Sequence, residues 1–184
     1  MEAAHVLWRR LDTAGHDACR LERTAEGWRL EGTAVFLEDG APARLDYLLE
    51  CDPAWRSRRG RVRGWIGARP VELSVERSIH GAWTLDRQLV EGLEDCFDLD
   101  FGFTPATNLT QLHRVDLEEG RAADVPVAWL DVTASSIEFL AQRYERRSAL
   151  TYWYESPAAD YSGLLEVTHS GFVRRYPGLW EMEL

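Results

Sequence analysis

Alternation governs this chain. From His5 almost to the last residue, apolar and polar side chains trade places with a period of two, and Gly, Pro, Asp or Asn breaks the pattern at roughly ten-residue intervals. A period of two puts successive side chains on opposite faces of an extended backbone, so one face of each segment is apolar. The segment Trp28 to Leu37 sets Trp28, Leu30, Gly32, Ala34 and Phe36 on one face, and Glu38-Asp39-Gly40 then signals a hairpin. Arg44 to Cys51 aligns Leu45, Tyr47, Leu49 and Cys51. Val71 to Arg77 alternates Val71, Leu73 and Val75 with Glu72, Ser74 and Glu76. Helical periodicity competes only over Ile137 to Tyr144, where strand is expected because Leu150-Thr151-Tyr152-Trp153-Tyr154 follows so closely. Leu112 to Leu117 reads as a short strand, and Ile137 to Arg146 with Ala149 to Ser156 reads as a hairpin about Arg147-Ser148.

The expected fold class is therefore all-β, with about a dozen strands joined by short turns. Short links favour neighbouring antiparallel pairs, hence a meander. A twisted sheet of that many strands must curl, split or close, so the expectation is a β-roll or half-barrel with little helix. The 184 residues carry no linker or clear repeat, which predicts one domain spanning 1–184. A rolled sheet has a concave face, and that face becomes a ligand cavity where its own side chains leave it unfilled.

Composition narrows the function. All 21 basic residues are Arg, and the net charge of −10 excludes the basic footprint of a nucleic-acid binder. No window reaches eighteen apolar residues, which predicts no integral membrane association. The first ten residues lack a basic stretch followed by an apolar run, so the expected location is cytoplasmic. Cys19, Cys51 and Cys96 are far apart and odd in number, which argues against a disulfide framework or a zinc site. His5, His16, His80, His113 and His169 are scattered, and no glycine motif cradles a nucleotide. No metal and no cofactor are expected.

The densest chemistry lies between Asp95 and Asn108. Phe97, Leu99, Phe101 and Phe103 share one face of a strand; Cys96, Asp98, Asp100 and Gly102 share the other, and a corner with Thr104, Pro105, Thr107 and Asn108 follows. Asp98 and Asp100, about 7 Å apart along the strand, suit a solvated face, a shared divalent cation or an acid–base pair. The run from Arg56 to Arg63 suits oxyanion contacts, or a solvated face that pairs with neighbouring acids. Tyr144, Tyr152 and Tyr154, with Gln142 nearby and Tyr176 and Trp180 near the end of the chain, suit either a β core or the wall of an amphipathic cavity.

These strings together carry a family resemblance: Asp98-Leu99-Asp100-Phe101-Gly102-Phe103-Thr104-Pro105-Ala106-Thr107-Asn108, Leu112-His113-Arg114, Gln142-Arg143-Tyr144-Glu145-Arg146, Tyr152-Trp153-Tyr154-Glu155-Ser156, Gly171-Phe172-Val173 and Tyr176-Pro177-Gly178-Leu179-Trp180. From Trp8 onward the chain resembles a bacterial family of glycolipid-binding proteins, first classed only as a domain of unknown function. The resemblance implies a long antiparallel meander wound into a spiral β-roll, similar in shape to the carriers of bacterial lipoproteins. It implies a glycolipid or other amphiphilic small molecule as partner, held without catalysis in the concave face. The expected ligand-binding residues are Phe101, Phe103, Thr104, Asn108, Arg114, Gln142, Tyr144, Tyr152, Tyr154 and Trp180. The alternatives are a small-molecule enzyme using Asp98 or Asp100, and an interaction module or homodimer joined through a sheet edge or aromatic patch.

Overall fold

The computed structural model describes residues 4–183. Among the described residues, seventeen strands and one α-helix follow in order. The first eight strands are β1 Ala4–Arg10, β2 Gly15–Arg23, β3 Trp28–Glu38, β4 Ala41–Cys51, β5 Ser57–Ile66, β6 Arg69–Arg77, β7 Trp83–Leu85 and β8 Gln88–Val90. The middle of the chain holds β9 Asp98–Phe101, α1 Asn108–Val115, β10 Ala122–Asp124, β11 Val127–Asp131 and β12 Ser136–Leu140. The last five strands are β13 Arg143–Ser148, β14 Thr151–Ser156, β15 Tyr161–Val167, β16 Val173–Tyr176 and β17 Trp180–Glu183.

Fourteen strands form one sheet in the order β10-β13-β14-β15-β16-β17-β1-β2-β3-β4-β5-β6-β7-β8. All of its pairs are antiparallel. The alternation of the sequence becomes the curl of this sheet. Leu30, Ala34 and Phe36 of β3, Leu45, Tyr47 and Leu49 of β4, and Val71, Leu73 and Val75 of β6 are buried on its inner face. The sheet remains open, because β8 and β10 are edges that do not pair with each other.

The chain is not one continuous meander. After β8 it enters the roll, and β9, β11 and β12 make a second, three-stranded sheet inside it, with β9 parallel to β11. The inserted segment is anchored to the wall: Ser57 Oγ accepts from the Leu99 amide at 2.8 Å, and the Ser57 amide donates to Phe97 O at 2.9 Å. Gly60 makes room for it, since a Cβ there would stand 2.1 Å from Leu99 Cδ2.

The inner sheet divides the interior into two cores. Leu99, Phe101, Ala128 and Leu130 pack with the β1–β6 wall, where Phe101 and Phe103 stack at 5.8 Å and Tyr47 meets both rings edge-on. Val127 packs with Tyr144, Tyr152, Tyr154 and Leu165 of the C-terminal wall. Strand alternation puts Asp98 and Asp100 on that second side, and both are buried rather than solvated.

Other local expectations change as well. Leu112 lies in helix α1 and not in a strand. Asn108 to Gln111 are buried along with it, and Leu109, Leu112 and Val115 form a short apolar stripe at a spacing of three. His113 and Arg114 in its last turn suit the negative end of the helix dipole. Ile137 to Arg146 is two strands in two sheets, β12 and β13, and the β13–β14 turn falls at Ala149-Leu150. Strand β17 carries the sheet on to β1, with which it pairs.

Candidate functional site

The open end of the C-terminal compartment is a cleft of about 540 Å³. Its floor is Asp100, Phe101, Thr104 and Asn108 from the inserted segment; its walls include Trp129, Tyr154, Ser156, Tyr161, Tyr176 and Trp180. It lies at the end of the roll where Arg10 faces Trp180 and where the chain turns at 157–160 and 177–179.

Each floor residue is held from behind. Thr104 Oγ1 donates to the buried Asp17 carboxylate, which also accepts from Tyr47 Oη at 3.0 Å to each oxygen. That pair pins the Thr-Pro-Ala-Thr-Asn corner to the N-terminal wall. Burial pushes the Asp17 carboxyl up to about 6, against the pull of its hydrogen bonds from Thr104 and Tyr47. The Asp100 carboxylate accepts from Thr107 Oγ1 at 2.7 Å and from Gln142 Nε2 at 2.6 Å. Asn108 Nδ2 donates to Tyr144 Oη at 2.7 Å, and Tyr144 Oη donates to Gln111 Oε1 at 2.6 Å. Burial raises the Asp100 carboxyl, with Thr107, Gln142 and Gln111 opposing. Asp98 is tied to Arg114, whose Nε and Nη2 approach one carboxylate oxygen at 2.8 and 2.7 Å. Burial still raises its carboxyl, with Arg114 opposing.

This network is incomplete. Gln142 Oε1, Gln111 Nε2 and Ser156 Oγ are buried without a hydrogen-bond partner. Gln111 lies near Asp100 and Ser156 near the Tyr154 hydroxyl, both outside bonding geometry. Buried polar groups are nearly always satisfied, so the one orphan on the cleft wall, Ser156 Oγ, marks a place where a polar group from outside would be welcome, while Gln111 and Gln142 lie outside the lining. The wall facing it is aromatic: Tyr144 and Tyr154 centroids are 4.9 Å apart, Tyr154 and Tyr176 5.7 Å, and Tyr161 and Tyr176 5.1 Å. Burial raises the hydroxyls of Tyr154, Tyr161 and Tyr176, which keeps them neutral hydrogen-bonding groups.

Of the residues expected from sequence to bind ligand, Phe101, Thr104, Asn108, Tyr154 and Trp180 line this cleft. Gln142 and Tyr144 stand behind its floor as partners of Asp100 and Asn108. Arg114 serves Asp98, Phe103 packs between Phe36, Tyr47 and Phe101, and Tyr152 borders a separate depression with Arg146. Asp17, Trp129 and Ser156 were not expected. For Asp17 and Ser156 the available signal was a polar residue at an inward position of an alternating strand: Asp17 with Cys19 and Leu21, Ser156 with Tyr152 and Tyr154. Among the described residues no group of three His, Cys, Asp or Glu side chains is placed to hold a metal ion, and no helix is long and apolar enough to cross a membrane.

Comparison with known proteins adds the following. A family described as "Putative glycolipid-binding" matches residues 5–182. A crystal structure of a DUF1089-family protein from Pseudomonas aeruginosa superposes with a TM-score of 0.78 at 22% identity, covering 98% of this chain and 92% of that one. At that identity the likeness establishes the shared fold. No curated protein sequence matches the chain.

Proposed function

The chain belongs to this glycolipid-binding family, and we propose that it binds a glycolipid or similar amphiphile, without catalysis, in the cleft floored by Asp100. The observation that carries the reading is the unpartnered Ser156 Oγ in a cleft that also holds a buried, hydrogen-bonded carboxylate and a tyrosine wall. A sugar offers what that site lacks: hydroxyls that both donate and accept, and an apolar ring face suited to stacking on Tyr or Trp. The cleft volume lies in the range of small-molecule sites, roughly 300–1,000 Å³. Leu140, Leu179 and the half-exposed Phe139 border the cleft and give an alkyl tail an apolar path outward.

The test uses n-octyl glucoside, glucose and octyl phosphocholine as probes, with native mass spectrometry and tryptophan fluorescence as readouts. Octyl glucoside is expected to bind more tightly than either of the others. Ser156→Ala should weaken it about fivefold, the worth of one hydrogen bond. Gly102→Ala should weaken it too, because the added Cβ would lie 2.4 Å from Trp129 Nε1 and displace the indole. Absence of octyl glucoside binding, or binding unchanged in both variants, would refute the reading.

A second reading, glycosidic-bond hydrolysis, has one observation in its favour. Asp100, Trp129 and Glu138 are register partners across the inner sheet. Two carboxylates thus share a face, about 10 Å apart at Cα, and both line the cleft. Inverting glycosidases hold their two carboxyl groups roughly 6.5–9.5 Å apart, which side chains at these two positions can span. Because Asp98 is held by Arg114, the pair in this version is Asp100 and Glu138. Release of nitrophenol from nitrophenyl glycosides, lost in both Asp100→Asn and Glu138→Gln, would favour it over simple binding.

A further inference from the structure

A larger cleft, about 790 Å³, lies at the opposite end of the roll, among the turns at 24–27, 52–56 and 78–82. Four arginines line it, and three have carboxylate partners. Arg29 is shared by Glu22 and Glu50, Arg58 pairs with Asp52 at 2.9 Å, and Arg59 lies between Glu50 and Glu76. Arg77 is different. It is only 8% exposed. Its Nε donates to Cys96 O at 3.0 Å, and its guanidinium sits against the rings of Phe97 and Trp83. Among the described residues it has no carboxylate within salt-bridge distance, so its Nη groups are left for whatever enters the cleft.

The neighbourhood sharpens this imbalance. Arg58 Nη1 and Arg29 Nε are buried donors without partners. The field at Arg77 is positive on balance: burial and the charges of Arg58 and Arg56 depress its pKa, while Asp52 and Asp98 offset them only in part. A buried guanidinium beside like charges, with unspent donors around it, is a costly arrangement that an anion would relieve. The cleft is also far larger than one inorganic ion needs, and Trp28 and the 80%-exposed Ile79 give it apolar wall.

We infer that this cleft is a second ligand site, which binds a small organic molecule through an oxyanion group, phosphoryl or sulfuryl, held by Arg77 with Arg58 beside it. It is separate from the cleft at Asp100 and does not rest on the sugar-binding reading. The planar guanidinium fork matches two oxygens of such a group. Of the carboxylates on the wall, Glu50, Asp52 and Glu76 are paired with arginines, while Glu26 has no arginine partner among the described residues.

Calorimetric titration with phenyl phosphate, inorganic phosphate, inorganic sulfate and benzyl alcohol tests this. Phenyl phosphate should bind, more weakly as salt rises, and benzyl alcohol should not. Inorganic ions that bind as well as phenyl phosphate would identify a site for the free oxyanion; weaker binding by them would identify an organic carrier. Arg77→Met should weaken binding about tenfold or more. Since Arg77 also packs against Phe97 and Trp83, Arg58→Gln is the second variant, expected to weaken binding in the same direction while leaving the interior intact. Gly102→Ala, at the other end of the roll, should leave it unchanged. No binding of any of the three anions, or equal affinity in wild type and Arg58→Gln, overturns the inference whatever becomes of the octyl glucoside test.

Discussion

Asp17 is a carboxylate buried inside a β-roll, and its removal should be visible as a change in how stability depends on pH. Its carboxyl stands at about 6 in the folded protein against 3.8 as the unperturbed value, pushed up by burial. Between these two values the native state holds a proton that the unfolded chain has lost, so stability falls as pH rises through that window. Below about 3.8 both states are protonated and the penalty is absent; above about 6 it is complete. Two pKa units at about 1.36 kcal/mol each make the full penalty about 3 kcal/mol. In Asp17→Asn the side chain cannot ionise, yet its amide oxygen accepts from one of the Tyr47 and Thr104 hydroxyls and its NH₂ group donates to the other. Urea unfolding at pH 4, 5, 6 and 7 should show a flatter curve for the variant. At pH 4 it should be about 1 kcal/mol less stable than wild type, the worth of one weakened hydrogen bond. At pH 7 it should equal or exceed wild type. Asp98 and Asp100 also have raised carboxyls, but both remain in the variant, so the difference between the curves isolates Asp17. Parallel curves from pH 4 to 7, with unchanged m-values, would refute the reasoning.

Two further outcomes are expected from the way the inserted segment is held. Gly60→Ala should cost about 1–3 kcal/mol in denaturant unfolding, because its Cβ overlaps Leu99 Cδ2 and crowds the Phe101 ring in a filled core; a neutral result would mean that the segment moves freely against β5. Arg114→Ala should cost about 3–5 kcal/mol by stranding the fully buried Asp98 charge, and Asp98→Asn in the same chain should recover much of that loss.

Period-two patterning made the walls of the roll legible and left its contents hidden. In β3, β4 and β6 the faces follow directly from alternation, because each strand has one buried and one solvated side. The inserted segment obeys a different rule. All four residues of β9 are buried, so Asp98 and Asp100 fall where alternation alone puts a solvated face. What reverses that reading is partnership: Arg114 lies 16 residues away from Asp98, and Gln142 lies 42 residues away from Asp100. A partner at such distances cannot be inferred from local pattern, and neither can the parallel pairing of β9 with β11. Helix α1 is hidden for another reason: its apolar stripe of Leu109, Leu112 and Val115 spans only about two turns.

Filling the roll from within also changes what its concavity is for. An empty curled sheet would present one long apolar trough, with Phe101 and Phe103 as lining for a lipid tail. Here those rings complete the N-terminal core, and the inserted sheet turns its acidic side toward the tyrosine-lined C-terminal wall. The trough is thereby interrupted, and clefts open at opposite ends, one with a buried carboxylate and an orphaned hydroxyl, the other with a buried guanidinium that, among the described residues, has no carboxylate within salt-bridge distance. On the reading proposed above, the cleft at Asp100 takes a polar head group and a tail runs along the rim by Phe139 and Leu179 rather than into the roll. Lengthening the alkyl chain of a glucoside from eight to twelve carbons would therefore add less to affinity than about 0.8 kcal/mol per methylene, the gain for full burial, whereas a true lipid trough would realise most of it.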